Sequence, residues 1–509
     1  MTIVVPAFNV ERYLSECLKS LVAQTVWADC RVLVVDDGST DGTGRIAADF
    51  AVGYPTISVL TQDNAGPGAG AARNHGLDEV ATEFVLFVDG DDELTPRAIE
   101  RLRSGLLAEG LNLAVGATEQ FPEPRRWIWS DYFVPGQVGA VSIEDVPLLA
   151  HDARTCNKLY RTSWLRAQGL RFAEGIHHQD TVVNVPAMLL AERFSLVGDV
   201  VHRYRKRAEG GSVMDSHFTR VGNFWDHLRV IEELDAMRPR FLPSREPLMQ
   251  AFIARSFQGF SWRACDVLPS DRLEEFFRRA AAVIRTLDPD VIEEATRDAQ
   301  ERTAYVTMLE DDLGSFERLG ELSRRVNASD GGLYLDVPTT TPETRRLLRT
   351  GSTMAIANGV SAARDGITVH LSFRMRGLRH PEVALKDMRL RGMVSGEVEV
   401  SAPVDWAEAG GPVASGTAFF AWSKLKDREY VLRLHLRTPT GNFARWVRLP
   451  AALSPSIGFV AGEAISTSLV RLRLAAGDDG EAHLTVKLAA LLRARRQLGR
   501  VRRLLEPRA

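Results

Sequence analysis

Phe84-Val85-Leu86-Phe87-Val88-Asp89-Gly90-Asp91-Asp92-Glu93 decides the fold of this 509-residue chain. An apolar run of strand length, rich in aromatic and β-branched residues, reads as a strand buried on both faces. It ends abruptly in acids carried on a glycine turn. Open α/β sheets place their ligands at the carboxyl ends of such strands. Carboxylates packed this closely repel one another unless a cation neutralises them, and hard divalent ions such as Mg²⁺ or Mn²⁺ take oxygen ligands shared with substrate phosphates. Read alone, the stretch also fits a solvated acidic turn.

Upstream, Ile3 to Val5 forms a strand leading into Pro6-Ala7-Phe8-Asn9, and Leu14, Cys17, Leu18, Leu21 and Val22 then recur at helical spacing. Arg31 to Val35 is a second buried strand, ending in Asp36-Asp37-Gly38-Ser39. A helix through Ile46 and Phe50 and the strand Ile57 to Leu60 follow. This β-α-β-α-β alternation predicts a doubly wound, mostly parallel sheet. Gln62 to Asn74 reads as a glycine-rich loop entering a helix. Its glycines miss the GxGxxG spacing and it is not the first strand-to-helix turn, so the dinucleotide fingerprint is rejected. Arg73 there can neutralise a phosphate or be a surface arginine.

Downstream, Thr95-Pro96 predicts a helix start with Thr95 as N-cap. Trp127 and Trp129 fit a core role or a sugar-stacking one. Asp180 opens a long helix and is either an ordinary N-cap or a base. His177 and His178 lack metal-ligand spacing and read as loop residues. Arg203 to Arg207, with Gly210-Gly211-Ser212, is a basic flexible segment able to close over a diphosphate. Domain limits are expected at 1–222 for the α/β domain, 223–330 for a helical connector, 331–487 for a β-sandwich and 488–509 for a basic tail. The sandwich rests on alternation in Ile367 to Arg374, Tyr430 to Leu436 and Leu469 to Leu474.

Composition fits that plan. Hydrophobic residues make up 45% and charged residues 25%, as in an ordinary globular protein. No apolar run reaches the roughly 18 residues that span a bilayer, and no leader pattern precedes the first strand. Cys17, Cys30, Cys156 and Cys265 are scattered, which fits a reducing cytoplasm. The net charge of −3 is uneven, because the tail is strongly basic. Its leucines, Leu491, Leu492, Leu498 and Leu505, make a basic amphipathic helix suited to an anionic membrane surface or an oligomer contact. Nothing points to a nucleic-acid partner.

The ordered set suggests a chemistry. A nucleotide base sits over Pro6-Ala7-Phe8 and is held by Asp37, the ribose reaches toward Asp89, and Asp91 with a metal holds the diphosphate, assisted by Arg73. One base, Asp180, on a separate loop implies direct displacement with inversion. A nucleotidyltransferase that makes nucleotide-sugars, and a non-catalytic glycan-binding scaffold, remain as alternatives. Val4 to Asn9, Val35 to Ser39, Ala72-Arg73-Asn74 and Val88 to Asp92 resemble, in order and spacing, the family 2 inverting glycosyltransferases of GT-A fold. The resemblance covers about the first 215 residues. It implies a DXD metal and nucleotide-sugar site at Asp89 and Asp91, base contacts at Phe8 and Asp37, and Asp180 as the general base. Gln179 stands where that family usually has glutamate. Asn64 to Gly68, Lys158 to Thr162, the Gln179-Asp180 loop and the domain order are similar to bacterial wall teichoic acid glycosyltransferases. That likeness implies a UDP-sugar donor with Mn²⁺ or Mg²⁺, an envelope-polymer or glycan acceptor and a trimer through the β-domains; the cysteines and the basic tail add the expectation of a cytoplasmic site of action, peripheral on the inner membrane face.

Overall fold

The computed structural model describes residues 1–207, 219–257, 259–296, 299–322, 326–329, 332–349, 353–362, 366–375, 388–394, 397–407, 413–421, 423–424, 428–438, 441–448, 470–476 and 482–488. The Gly210-Gly211-Ser212 segment and residues 489–509 of the basic tail lie outside them. The chain divides into two compact units, Met1–Ala295 and Thr296–Ala509.

The first unit is built on one twisted sheet. Its strands are β1 (Thr2–Ala7), β2 (Arg31–Asp36), β3 (Ile57–Thr61), β4 (Phe84–Phe87), β5 (Glu93–Leu94), β6 (Leu113–Phe121), β7 (Val138–Val141), β8 (Lys158–Arg161) and β9 (Phe194–Arg205). They lie in the order β3-β2-β1-β4-β8-β6-β9-β5, with β7 beside β9. β3, β2, β1 and β4 run parallel, with Val5 opposite Val34 and Ile3 opposite Leu86. Every residue of β1 and β4 is buried. This is why their sequences read as continuous apolar runs, since helices cover both faces. β8 enters antiparallel between β4 and β6, and β9 returns parallel to β6.

Helices α1 (Leu14–Val22), α2 (Thr43–Gly53), α3 (Gly70–Asp78), α4 (Ala98–Glu109), α5 (Thr162–Ala167) and α6 (Thr181–Leu190) fill the connections. α1 buries the Leu14, Cys17, Leu18, Leu21 face expected from its period. Together with Val34, Leu86, Ile99 and Leu102 these side chains form one core. The expected N-cap at Thr95 is not made. α4 starts at Ala98, and the Thr95 hydroxyl donates instead to the Val200 carbonyl at 2.7 Å, tying the acidic turn to β9. Helices α7 (Val221–Met237) through α11 (Pro289–Ala295) complete this unit.

Topology sets the ligand position. β1 connects to β2 and β3 on one side and the chain then crosses back to β4 on the other, so a crevice opens at the carboxyl ends of β1 and β4. Pro6-Ala7-Phe8 and Asp89-Gly90-Asp91 stand at those two ends.

The second unit opens with helices and continues as long antiparallel strands, among them Thr353–Ala362, Gly366–Met375, Arg389–Val394, Val413–Ala421 and Arg428–Thr438. Burial alternates strictly along Val413–Ala421, the mark of a sheet with one covered face. The strands expected at 367–374, 430–436 and 469–474 fall within Gly366–Met375, Arg428–Thr438 and, but for one residue, Val470–Ala476. Among the described residues no helix is long and apolar enough to cross a membrane.

Candidate active site

A cleft of about 690 Å³ opens over that crevice and is lined by Pro6, Phe8, Asp37, Arg73, Asp89, Asp91 and Asp180. The residues assigned to a donor and catalytic site from the sequence therefore line one cleft, although they come from five separate segments. The volume suits a nucleotide-sized ligand.

The wall at β1 is fixed by neighbours. Asn9 adopts a left-handed backbone, φ 51, and its side-chain oxygen accepts the Thr40 N–H at 2.9 Å. This ties the turn after β1 to the turn after β2 and leaves Phe8 half exposed, 47%, facing the cleft. Asp37 is buried and accepts Gln62 Nε2 at 2.6 Å, and its backbone carbonyl takes Asn64 Nδ2 at 3.1 Å. The glycine-rich loop is thus pinned to Asp37 rather than loose.

That loop is also pressed against the Asp180 segment. A β-carbon added at Gly70 would stand 2.0 Å from the Ala173 carbonyl oxygen, and one at Gly68, whose φ is +81, 2.3 Å from that of Ile176. Gly70→Ala should therefore destabilise the fold by about 1–3 kcal/mol through overpacking. A free helical position would instead gain up to about 1 kcal/mol. Thermal unfolding of the variant separates the two.

Arg73, in the first turn of α3, is 3% exposed rather than a surface arginine. Its Nη2 donates to Asp89 Oδ1 at 2.5 Å, while Nε and Nη1 are buried without a hydrogen-bond partner among the described residues. Burying a cation with two idle donors is costly unless an anion arrives. Burial works to raise the Asp89 carboxyl, yet the Arg73 guanidinium outweighs it and holds Asp89 below its ordinary value.

The three acids of the turn have different partners. Asp91 faces the cleft and accepts Arg207 Nε at 2.8 Å, and Arg205 Nε donates to its backbone carbonyl at 2.9 Å. Burial, and then the neighbouring Asp92, push the Asp91 carboxyl up to about 6 against the pull of Arg207. Asp92 turns inward, to His202 Nε2 at 2.8 Å and the Arg205 N–H at 2.8 Å. The backbone of Asp89 is held by two thiols. Its N–H donates to Cys156 Sγ at 3.3 Å, and Cys17 Sγ donates to its carbonyl at 3.5 Å.

Asp92, Cys156 and His202 bring ligand-type atoms within 4.8 Å of one another. They serve as a buried support for the turn, since Asp92 and His202 are bonded to each other and burial, reinforced by Asp89 and Asp92, keeps the Cys156 thiol protonated. Asp89 and Asp91 fit a hard cation better. Both present carboxylate oxygens to the cleft, and Asp91 already draws a cationic partner in Arg207.

Asp180 precedes α6 but its side chain makes no capping hydrogen bond. Burial raises its carboxyl above the ordinary value, with Arg73 opposing and Asp89 reinforcing. The preceding Gln179 is buried and packs against Gly68 and Gly70. His177 and His178, expected to be ordinary loop residues, line the cleft. They are turned there by positive φ at Gly175, 68°, and at His178 itself, 61°. Only the glycine offered a sequence signal for this.

A mostly parallel α/β sheet with a nucleotide-sized cleft at its switch point, an acidic turn and one separate buried carboxylate is the arrangement of a GT-A-like fold. Residues 2–168 match the family described as Glycosyl transferase family 2. The chain is 30% identical over 217 residues to the glycosyltransferase GlyA of Streptococcus pneumoniae, covering 41% of this chain and 30% of that protein. It is 27% identical over 236 residues to the poly(ribitol-phosphate) beta-N-acetylglucosaminyltransferase TarS of Staphylococcus aureus, covering 45% of this chain and 39% of that one. The chain thus spans well under half the length of these two relatives. The crystal structure of S. aureus TarS shares the fold across 97% of this chain and 86% of its own, with a TM-score of 0.57 at 17% identity. TarS 1–349, solved in complex with UDP-GlcNAc, gives a TM-score of 0.55 at 22% identity over 67% of this chain and 97% of its own.

Proposed function

We propose that this chain is a metal-dependent, inverting glycosyltransferase that moves a sugar from a UDP-sugar to a hydroxyl of a phosphate-bearing cell-envelope polymer. The observation that carries the reading is the convergence of Asp89, Asp91, Arg73 and Asp180 on one cleft. The activity for which TarS is named and its UDP-GlcNAc complex support the donor and acceptor classes.

Phe8 and Asp37 take the base, the first as a flat apolar face and the second as a fixed acceptor. Arg73 offers its two idle nitrogens to the diphosphate. Asp89 and Asp91 would hold Mn²⁺ or Mg²⁺, which when bound neutralises charge developing on the leaving diphosphate. Asp180 takes the proton of the acceptor hydroxyl as its oxygen bonds to the anomeric carbon. The bond from that carbon to the diphosphate oxygen breaks on the opposite face, and UDP leaves with the bonding pair. A homotrimer through the carboxyl-terminal sheets and membrane contact through the basic tail belong to the same reading.

The test is a panel of UDP-sugars incubated with the full chain, with and without Mn²⁺ and poly(ribitol phosphate). UDP release should require the metal and rise with the polymer. Release of inorganic diphosphate from UTP and a sugar phosphate, with no UDP from any donor, would replace this reading by nucleotidyl transfer.

A further inference from the structure

Outside the cleft, one built feature has no part in donor chemistry. Trp127 and Trp129 lie in the irregular segment between β6 and β7, both partly exposed, with ring planes parallel to within 10° and centroids 6.4 Å apart. The Arg154 guanidinium stands against both indoles, 3.9 Å from one centroid and 5.1 Å from the other. We infer that Trp127, Trp129 and Arg154 form an acceptor platform that binds a polyol-phosphate segment of the polymer. The inference rests on the proposed activity for its choice of ligand.

The platform is anchored from beneath. Arg154 Nη1 donates to Asp152 Oδ1 at 2.7 Å, and Asp152 is fully buried. Asp152 also meets the fully buried Lys158, whose Nζ donates to the Arg154 carbonyl at 2.7 Å. Asn184, in the first turns of α6, holds the Ala153 carbonyl at 2.6 Å and the Thr155 hydroxyl at 2.8 Å. Buried ion pairs of this kind add little net stability against an apolar replacement but do fix geometry. What they fix here is a partly exposed cation beside two indoles.

The same turn reaches the catalytic centre on both sides. Cys156 bonds the Asp89 N–H, and Asn184 sits four residues after Asp180. Lys158 is near enough to Asp180 for its charge to be felt there. The platform is thereby tied through Cys156, Lys158 and Asn184 to the segments that carry Asp89 and Asp180. The chemistry of the surface selects the occupant. Flat indole faces accept the C–H face of a polyol or sugar, and the guanidinium takes hydroxyl or phosphate oxygens. Arg126 is paired with Asp131, Lys206 with Glu123 and Arg154 with Asp152, so the neighbouring Arg125 leaves the segment with a net positive charge that favours a phosphate-bearing chain over a neutral one.

The experiment titrates poly(ribitol phosphate), and separately uncharged dextran, into the full chain by calorimetry, with UDP and Mn²⁺ titrated in parallel. Trp127→Ala and Trp129→Ala should each weaken the polyol-phosphate by about tenfold and leave UDP affinity unchanged, which also shows that the variants are folded. Trp127→Phe and Trp129→Phe should recover most of the loss. Unchanged polymer affinity in the alanine variants, no polymer binding by the native chain, or equal affinity for dextran overturns the inference. So does a change of oligomeric state in the variants at constant polymer affinity, which would make the indoles a contact between copies. Tryptophan-dependent polymer binding without UDP release from any donor would sink the proposed activity and leave the platform standing.

Discussion

Asp180→Asn should lower UDP-sugar transfer by about 10²–10⁴-fold and leave UDP affinity unchanged. The amide keeps the size and burial of the carboxylate but takes no proton. The competing role for Asp180 is a helix N-cap, whose loss costs about 1 kcal/mol of stability and no activity. The structure separates the two by sign. Burial holds the Asp180 carboxyl above its unfolded value, so the fold disfavours the ionised form. The associated stability is fully present below the unfolded pKa and is lost as pH rises through the folded one. At neutral pH, then, the neutral amide should raise the unfolding temperature while activity collapses. A cap would leave both the unfolding temperature and the activity nearly unchanged, because asparagine caps a helix as well as aspartate does. Melting curves and UDP release measured on one preparation decide it.

The strands of the first unit were readable because β1, β2 and β4 are covered on both faces, so their composition alone marks them. The acids of the site were readable because they stand where such strands end. Their partners were not, because each comes from a distant part of the chain. Arg73 read either as a phosphate contact or as a surface arginine, and its burial beside Asp89 and Phe172 excludes the second. The scattered cysteines gave no cue that Cys17 and Cys156 hold the backbone of Asp89 on both sides, one at its carbonyl and the other at its N–H. The glycines of the 66–70 loop suggested freedom, whereas Gly68 and Gly70 are needed for close approach to the Asp180 segment. His177 and His178 reach the cleft through backbone twists that no periodicity encodes. In the second unit alternation was enough to find the strands.

Asp91→Asn should abolish measurable Mn²⁺ binding in the absence of nucleotide and reduce metal-stimulated UDP release by about 10²–10³-fold. Two acids face the cleft from the turn, but they are not equivalent. Asp89 is paired with the buried Arg73 and held below its ordinary value, whereas Asp91, although paired with Arg207, is held above it. Burial and Asp92 raise the Asp91 carboxyl to about 6, so proton and metal compete for the same oxygens. In the native protein the Mn²⁺ affinity should be nearly constant above that value and weaken by roughly tenfold per pH unit below it. Arg207 occupies Asp91 in the metal-free chain, at 2.7 Å from Nη2, and must yield when the cation enters. Arg207→Gln should therefore tighten Mn²⁺ alone while weakening UDP, because the displaced guanidinium becomes free to meet the diphosphate. Paramagnetic titration of Mn²⁺ between pH 5 and 8 reads all three effects. A flat pH profile in the native chain, or full metal affinity in Asp91→Asn, would move the metal away from Asp91 and leave Asp89 as its only carboxylate anchor on the turn.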